Sequence, residues 1–246
     1  MLNRRTMIGT GAAMMAAAAL PRGSAAWAAT QEAGELKPLA LPPPITPAER
    51  ELRLRRAQAL MRRHGMGAVL VESGASLDYY TGIQWWRSER LTGVVIPARG
   101  DPIIVTPFFE GPSIKEMLGV PAEIRTWQED EEPLRLVADF LKANKVAGLP
   151  IGFEETNRFF LADRLKAALP AARIVSANPV VRAQRMIKAP TELALMQAAA
   201  DIMIAAFRQT WPRIRDGMGP GEIDAIIASA TRALGGAYDG GLVLIG

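Results

Sequence analysis

The sequence predicts an α/β fold: a mixed β-sheet covered by helices, followed by the opening of a second, incomplete α+β domain. Three observations predict it. Short Val/Ile-rich runs ("GAVLVE", "GVVIP", "PIIVT", "IGFEE") alternate with segments of helical period, which is the pattern of a sheet clothed by helices. Two of those runs flank "ARGD", whose Gly100-Asp101 marks a hairpin turn and so an antiparallel pair inside the sheet. After Asn178 the alternation stops and two long helical patterns follow.

Taken in order, residues 29–45 are rich in Pro and small residues and read as an extended linker. Thr46 and Glu49 have capping-box spacing with Pro47 at the first helical position, and Leu54, Ala57 and Met61 repeat at helical intervals until Gly65 ends the helix. A buried strand follows at 68–72, then a short "SLDYYTG" segment and the hairpin. Beyond the hairpin the pattern predicts a helix over 113–118, a strand over 123–127, a helix opened by Pro133, a strand over 151–154, a helix over 158–169 and a strand over 173–176. A long helix then starts near Pro190, with Leu193, Met196, Ala200, Met203 and Phe207 on one stripe, read as core filler. A second helix carries Ile223, Ile226, Ala230 and Leu234 and stops at Gly235-Gly236. Leu242–Ile245 reads as a buried strand. The predicted organisation is 1–28, a signal peptide; 29–45, the linker; 46–178, the first domain; and 179–246, the start of the second.

The formal charge of +4 points at first to an anionic partner, but much of it belongs to the leader. Residues 1–28 have a basic start, an apolar run from Met7 to Leu20 and an Ala26-Trp27-Ala28 cleavage signal. The apolar run is shorter than the ~20 residues of a spanning helix, which favours cleavage over anchoring. Arg4-Arg5 resembles a twin-arginine signal, so a periplasmic or secreted product is expected, without membrane attachment after cleavage. Removing Arg4, Arg5 and Arg22 from the 29 basic residues leaves 26 against 25 acidic ones. That near-neutral balance, with no Lys/Arg stripe interleaved with aromatics, argues against nucleic acid. There is no cysteine, which rules out disulfides, thiol catalysis and cysteine-bound zinc.

His64 is the only histidine and falls in the last turn of the first helix, where a cation suits the helix dipole; a lone imidazole makes a poor metal site. The acidic run Glu129–Glu132 precedes Pro133 and is best read as complementing a helix N-terminus. Gly-rich phosphate loops, Gly-x-Ser-x-Gly elbows and His-Glu-x-x-His are absent.

Arg185, Ile187, Lys188, Pro190, Glu192 and Leu193 in "RMIKAPTEL", Ala198–Ala200 after them, and "DGMGPGEID" before the second helix carry a resemblance. Together with "YYTG" and "EDEEP", they make the chain similar to the creatinase, prolidase and aminopeptidase P superfamily, the pita-bread metallopeptidases, over residues 46–246. Ala189 stands where the family has Ser, which costs a helix cap and nothing chemical. The resemblance implies a creatinase/prolidase-like N-terminal domain joined to the start of a pita-bread catalytic domain. It implies the activity of an Xaa-Pro peptidase on peptides with a penultimate proline, a homodimer, and two divalent ions (Mn²⁺, Co²⁺ or Zn²⁺) in the full-length enzyme. In the family the strand that "GLVLIG" resembles leads to a catalytic histidine, and the metal-binding residues lie beyond it. No catalytic and no metal-binding residue is therefore assigned in this chain, and the fragment is expected to be inactive alone. A same-fold enzyme of other chemistry, a creatinase-like amidinohydrolase or a lyase, and a non-catalytic dimerisation or binding module stand as alternatives.

The substrate-contact candidates are Arg90 and Trp86 in "QWWRSERLTGVVI". Arg90 sits three residues before Gly93, where creatinase places an arginine for the substrate carboxylate, and a guanidinium can hold a carboxylate through two parallel hydrogen bonds. The competing reading, an exposed arginine at a strand edge, is the one the residues favour. Trp85 and Trp86 either wall the same pocket or supply packing area, the commoner role of tryptophan. Arg87 reads as a solvated charge.

Overall fold

Strands that are apolar on both faces must be covered on both, and the arrangement of the sheet shows how. In the computed structural model, which describes residues 36–245, six strands form one mixed sheet. They are β1 (Ala68–Glu72), β2 (Gly93–Pro97), β3 (Ile103–Pro107), β4 (Glu123–Trp127), β5 (Pro150–Phe153) and β6 (Arg173–Ser176), in the order β4-β3-β2-β1-β5-β6. Only β2 runs against its neighbours: it is antiparallel to β1 and β3, whereas β1/β5, β5/β6 and β3/β4 are parallel. The predicted hairpin is thus the β2–β3 pair, with Val94 opposite Ile104.

Side chains alternate across the sheet, so each strand feeds two cores. Val69, Val71, Val94, Ile96 and Ile104 face a layer made by α1 (Pro47–Arg63), α2 (Ala75–Thr81), α3 (Gly111–Met117) and α6 (Val181–Met186), through Leu54, Met61, Leu77, Tyr80, Ile114 and Val181. Leu70, Val95, Ile103 and Val105 face α4 (Pro133–Ala143) and α5 (Phe159–Ala168), through Leu134, Val137, Leu141, Leu161 and Leu165. The capping box predicted for α1 is present: the Thr46 hydroxyl accepts from the Glu49 N–H and the Glu49 carboxylate accepts from the Thr46 N–H.

The chain divides into two compact units, and the division falls within the long helix α7 (Pro190–Thr210). One unit is Leu41–Ala198, which holds the whole sheet; the other joins the described residues of Met1–Ala40 to Ala199–Gly246. In the second unit Ile202 and Ala206 of α7 pack with Ala230 and Leu234, at the end of α8 (Pro220–Ala233), in a small core. Leu39 of the linker donates its N–H to Leu234 O at 3.0 Å, so this part of the linker is pinned.

Two helices go beyond the sequence reading, and two expectations need correction. "SLDYYTG" is a helix, α2, bracketed by Gly74 and Gly82 at φ of 132° and 86°, a region open to glycine and costly for other residues. Helix α6, unpredicted, is six residues long, too short to show a period. The α7 stripe is not core filler: Leu193, Met196, Met203 and Phe207 are each more than half exposed, and the buried residues are Ile202, Ala206 and Thr210. Leu242–Ile245 forms no strand and no strand among the described residues pairs with it; Leu242, Leu244 and Ile245 are exposed. The predicted signal peptide lies outside the described residues. Among the described residues no helix is long and apolar enough to cross a membrane.

Candidate functional site

In sheets of this kind, ligands gather at the carboxyl edge, beside the point where the chain's connections diverge to either side. Here the divergence lies between β1, whose chain continues to β2, and β5, whose chain continues to β6 on the other side. The segments meeting at that edge are the end of β1, the approach to β2, the ends of β3 and β4, and the turn Glu154–Arg158 after β5.

Glu72, the last residue of β1, is at the centre, with a side chain only 1% exposed. Its carboxylate accepts from Arg158 Nε at 2.8 Å, from Arg158 Nη2, and from the Arg158 backbone N–H at 3.2 Å. Arg87 Nε lies 3.7 Å from the same carboxylate. Asn157 locks the turn onto β1, accepting from the Glu72 N–H at 3.1 Å and donating to Leu70 O at 2.9 Å. Arg87 is exposed, as its sequence context suggests, but it is not free: its Nη2 donates to Ser73 O at 3.3 Å and to Thr156 Oγ1 at 3.0 Å. The network continues inward, because buried Glu154 accepts from the Thr156 N–H and hydroxyl and from Ser76 Oγ at 3.1 Å, and Ser76 Oγ accepts from Arg185 Nη1 at 2.8 Å.

The structure places Arg90 and Trp86 on one segment, Gly82–Thr92, which carries no helix or strand of its own. Arg90 Nε donates to Glu129 at 2.6 Å, and its Nη1 donates to Glu89. The guanidinium lies over the Phe109 ring, 5.4 Å from its centroid. The hydrogen bond to Glu129 pushes Arg90 further above its already high ordinary value, so it stays cationic. Trp86 is 88% exposed, whereas Trp85 is half-buried against the core that lies under α1 and α2. The acidic run divides its labour: Glu129 meets Arg90, Glu131 accepts from the Gln128 N–H at 2.7 Å, and Glu132 caps α4 by accepting from the Leu134 N–H at 3.2 Å. Below Arg90, buried Glu110 accepts from Thr92 Oγ1 at 2.6 Å and Thr106 Oγ1 at 3.2 Å.

Sequence reasoning missed Glu72, Arg158 and Glu154. One signal was available for the two glutamates, each a charged residue closing an apolar strand run at the edge where parallel strands end, whereas Arg158, before α5 at the far end of the turn, carries none.

No metal site is built from these groups. Among the described residues, no three or more His, Asp or Glu side chains are grouped to hold an ion. His64 sits at the end of α1, exposed, with its backbone N–H on Leu60 O. The described residues do not fit a dinuclear metal centre.

Residues 53–187, more than half of the chain, match the Creatinase/Prolidase N-terminal domain. The chain belongs to the creatinase/prolidase family. Among relatives, an uncharacterised peptidase of Schizosaccharomyces pombe is 30% identical over 189 residues, covering 71% of this chain and 40% of its own length. The crystal structure of dipeptidase PepE from Mycobacterium ulcerans is 28% identical, with a TM-score of 0.63, covering 78% of this chain and 51% of that one. A prolidase from Thermococcus sibiricus shares the fold, with a TM-score of 0.68 at 21% identity over 77% of this chain and 51% of the prolidase. The chain thus spans about half the length of these proteins. The mixed sheet and its helical layers are the creatinase/prolidase N-terminal architecture, as the sequence predicted.

Proposed function

We propose that this chain is the N-terminal portion of an exported Xaa-Pro metallopeptidase that hydrolyses the bond before a penultimate proline. The observation that carries the reading is the family match over 53–187, in a chain that spans about half the length of relatives named as peptidases and dipeptidases. The exposed apolar side chains of the second unit, Met203, Phe207 and Trp211, support it, because apolar surface beside so small a core suits contact with more protein.

In this reading the two divalent ions (Mn²⁺, Co²⁺ or Zn²⁺) are held by donors outside this chain, and the chain alone is inactive. Its own contribution is recognition. Arg90 takes the substrate carboxylate and Trp86 walls the site, in the neighbouring protomer of a homodimer. The present partners of Arg90 do not bar this: Glu89 and Glu129 have side chains 75% and 62% exposed. Exposed ion pairs contribute about 0–1 kcal/mol, so exchanging one carboxylate for another costs little. The twin-arginine-like leader would carry the folded enzyme to the periplasm or beyond.

The test is to express the gene together with the coding sequence after codon 246 and assay Xaa-Pro dipeptides with added Mn²⁺. Turnover is expected, and Arg90→Ala should raise KM with unchanged folding. An expressed, folded product that does not cleave Xaa-Pro bonds contradicts the reading; unchanged KM returns Arg90 to a surface role.

A further inference from the structure

Glu72 is costly where it sits. It ends the apolar run Ala68–Val71 on an inner strand, with its side chain 1% exposed. Desolvating a carboxylate costs several kcal/mol, and buried ion pairs are often no more stabilising than a well-packed hydrophobic residue. Stability therefore gives a poor account of a glutamate here. Geometry gives a better one.

The two arginines that Glu72 holds both act on the segment Gly82–Thr92, which has no regular structure to order it. Arg87 belongs to that segment, and its guanidinium is fixed between Glu72, Ser73 O and Thr156 Oγ1. Arg158 reaches the segment's far end, where its Nη2 donates to Arg90 O at 3.2 Å while Nε and Nη2 are held by Glu72. One buried carboxylate thus pins the segment immediately after Trp86 and again at Arg90. A planar guanidinium suits the task because its donors leave in fixed directions, so a single carboxylate orients the bonds made on the other side.

We propose that Glu72 is the positioning residue of this segment: through Arg87 and Arg158 it fixes the outward presentation of Trp86 and the seat of Arg90. Its consequence for substrate use rests on the peptidase reading above; the positioning itself does not.

Limited trypsin digestion of the 246-residue chain separates the two. Leu91 is 2% exposed, so cleavage after Arg90 requires local release of the segment, whereas cleavage after Arg125, inside the edge strand β4, reports opening of the sheet at that edge. Glu72→Gln is expected to speed cleavage after Arg90 by about tenfold or more while cleavage after Arg125 stays slow. Arg87→Met, at a side chain 36% exposed, is the variant that keeps the test decisive if Glu72→Gln fails to fold, and should act in the same direction. An unchanged rate after Arg90 in a folded variant, or equal acceleration at both sites, overturns the proposal. In a longer, active protein Arg87→Met should raise KM more than it lowers kcat. Loss of kcat alone would sever the segment from substrate contact while leaving the digestion result standing.

Discussion

Thr191 donates a 2.6 Å hydrogen bond to the carboxylate of Glu49 across 142 residues of chain. The other oxygen of that carboxylate closes the cap of α1, accepting from the Thr46 N–H at 2.7 Å. A turn further along, Arg53 meets Glu192 at 3.5 Å. The first turns of α1 and α7 are therefore locked together by groups that each helix would otherwise spend on its own end. The Glu192 of the linker motif also accepts from the Ala189 N–H at 2.9 Å, which supplies half of a capping box where Ala189 brings no hydroxyl.

This carboxylate gives the fold a pH dependence. The hydrogen bond from Thr191, followed by that from the Thr46 backbone, lowers the Glu49 pKa below its ordinary 4.5. A group depressed in the folded state contributes stability that is whole above its unfolded pKa and is lost as pH falls through the folded one. Glu123, lowered by its hydrogen bond from Arg125, acts in the same sense. Urea midpoints measured from pH 7 downward should fall below the ordinary carboxylate range, and fall less in Glu49→Gln. Parallel curves for the two proteins would dismiss the role given to Glu49.

The cap itself is expected to matter at neutral pH. Thr46→Ala removes the hydroxyl that accepts from the Glu49 N–H and should lower unfolding free energy by about 1 kcal/mol, read from chemical denaturation. A change within error would place the strength of this helix end elsewhere.

Leu141 on α4 is fully buried in the core shared with α5. Leu141→Ala should cost about 2–5 kcal/mol, because the removed methyls leave a cavity that the sheet and two helices cannot fill by collapse. The denaturation midpoint reports it, with α7 as comparison: Leu193→Ala, at a side chain 54% exposed, should cost far less.

Gly93 begins β2, and a Cβ there would lie 2.6 Å from Val71 O, against the backbone of β1. Gly93→Ala should therefore force the two strands apart and cost about 1–3 kcal/mol. Gly221, in the first turn of α8, has nothing within 4 Å of the same added carbon, so Gly221→Ala should be neutral or slightly stabilising. Equal effects at the two glycines would argue against the close approach at Gly93.

Most of the sheet was legible in the sequence because its signals are local. Val and Ile runs, the Gly100-Asp101 turn, the Thr46/Glu49 box and Pro133 each act within a few residues, and each stands where its chemistry requires. What failed depended on distance or covering. The α7 stripe shows that Leu193, Met196, Met203 and Phe207 share a face, but periodicity says nothing about what lies against it. The partners of Arg87, Ser73, Thr156 and Glu72, come from other segments and leave no local trace. Glu72 and Arg158 stand 86 residues apart and become a pair only when β1 and β5 lie side by side. Of the two site residues the sequence offered, Trp86 stands out in solvent while Arg90 is held by two carboxylates.

In the proposed function this polypeptide supplies recognition, and the metal chemistry belongs to residues outside it. The most direct measurement is metal content and Xaa-Pro hydrolysis by the purified 246-residue chain after incubation with excess Mn²⁺ and desalting. No stoichiometric ion and no released amino acid are expected. Chelator-sensitive turnover with bound Mn²⁺ would contradict this reading.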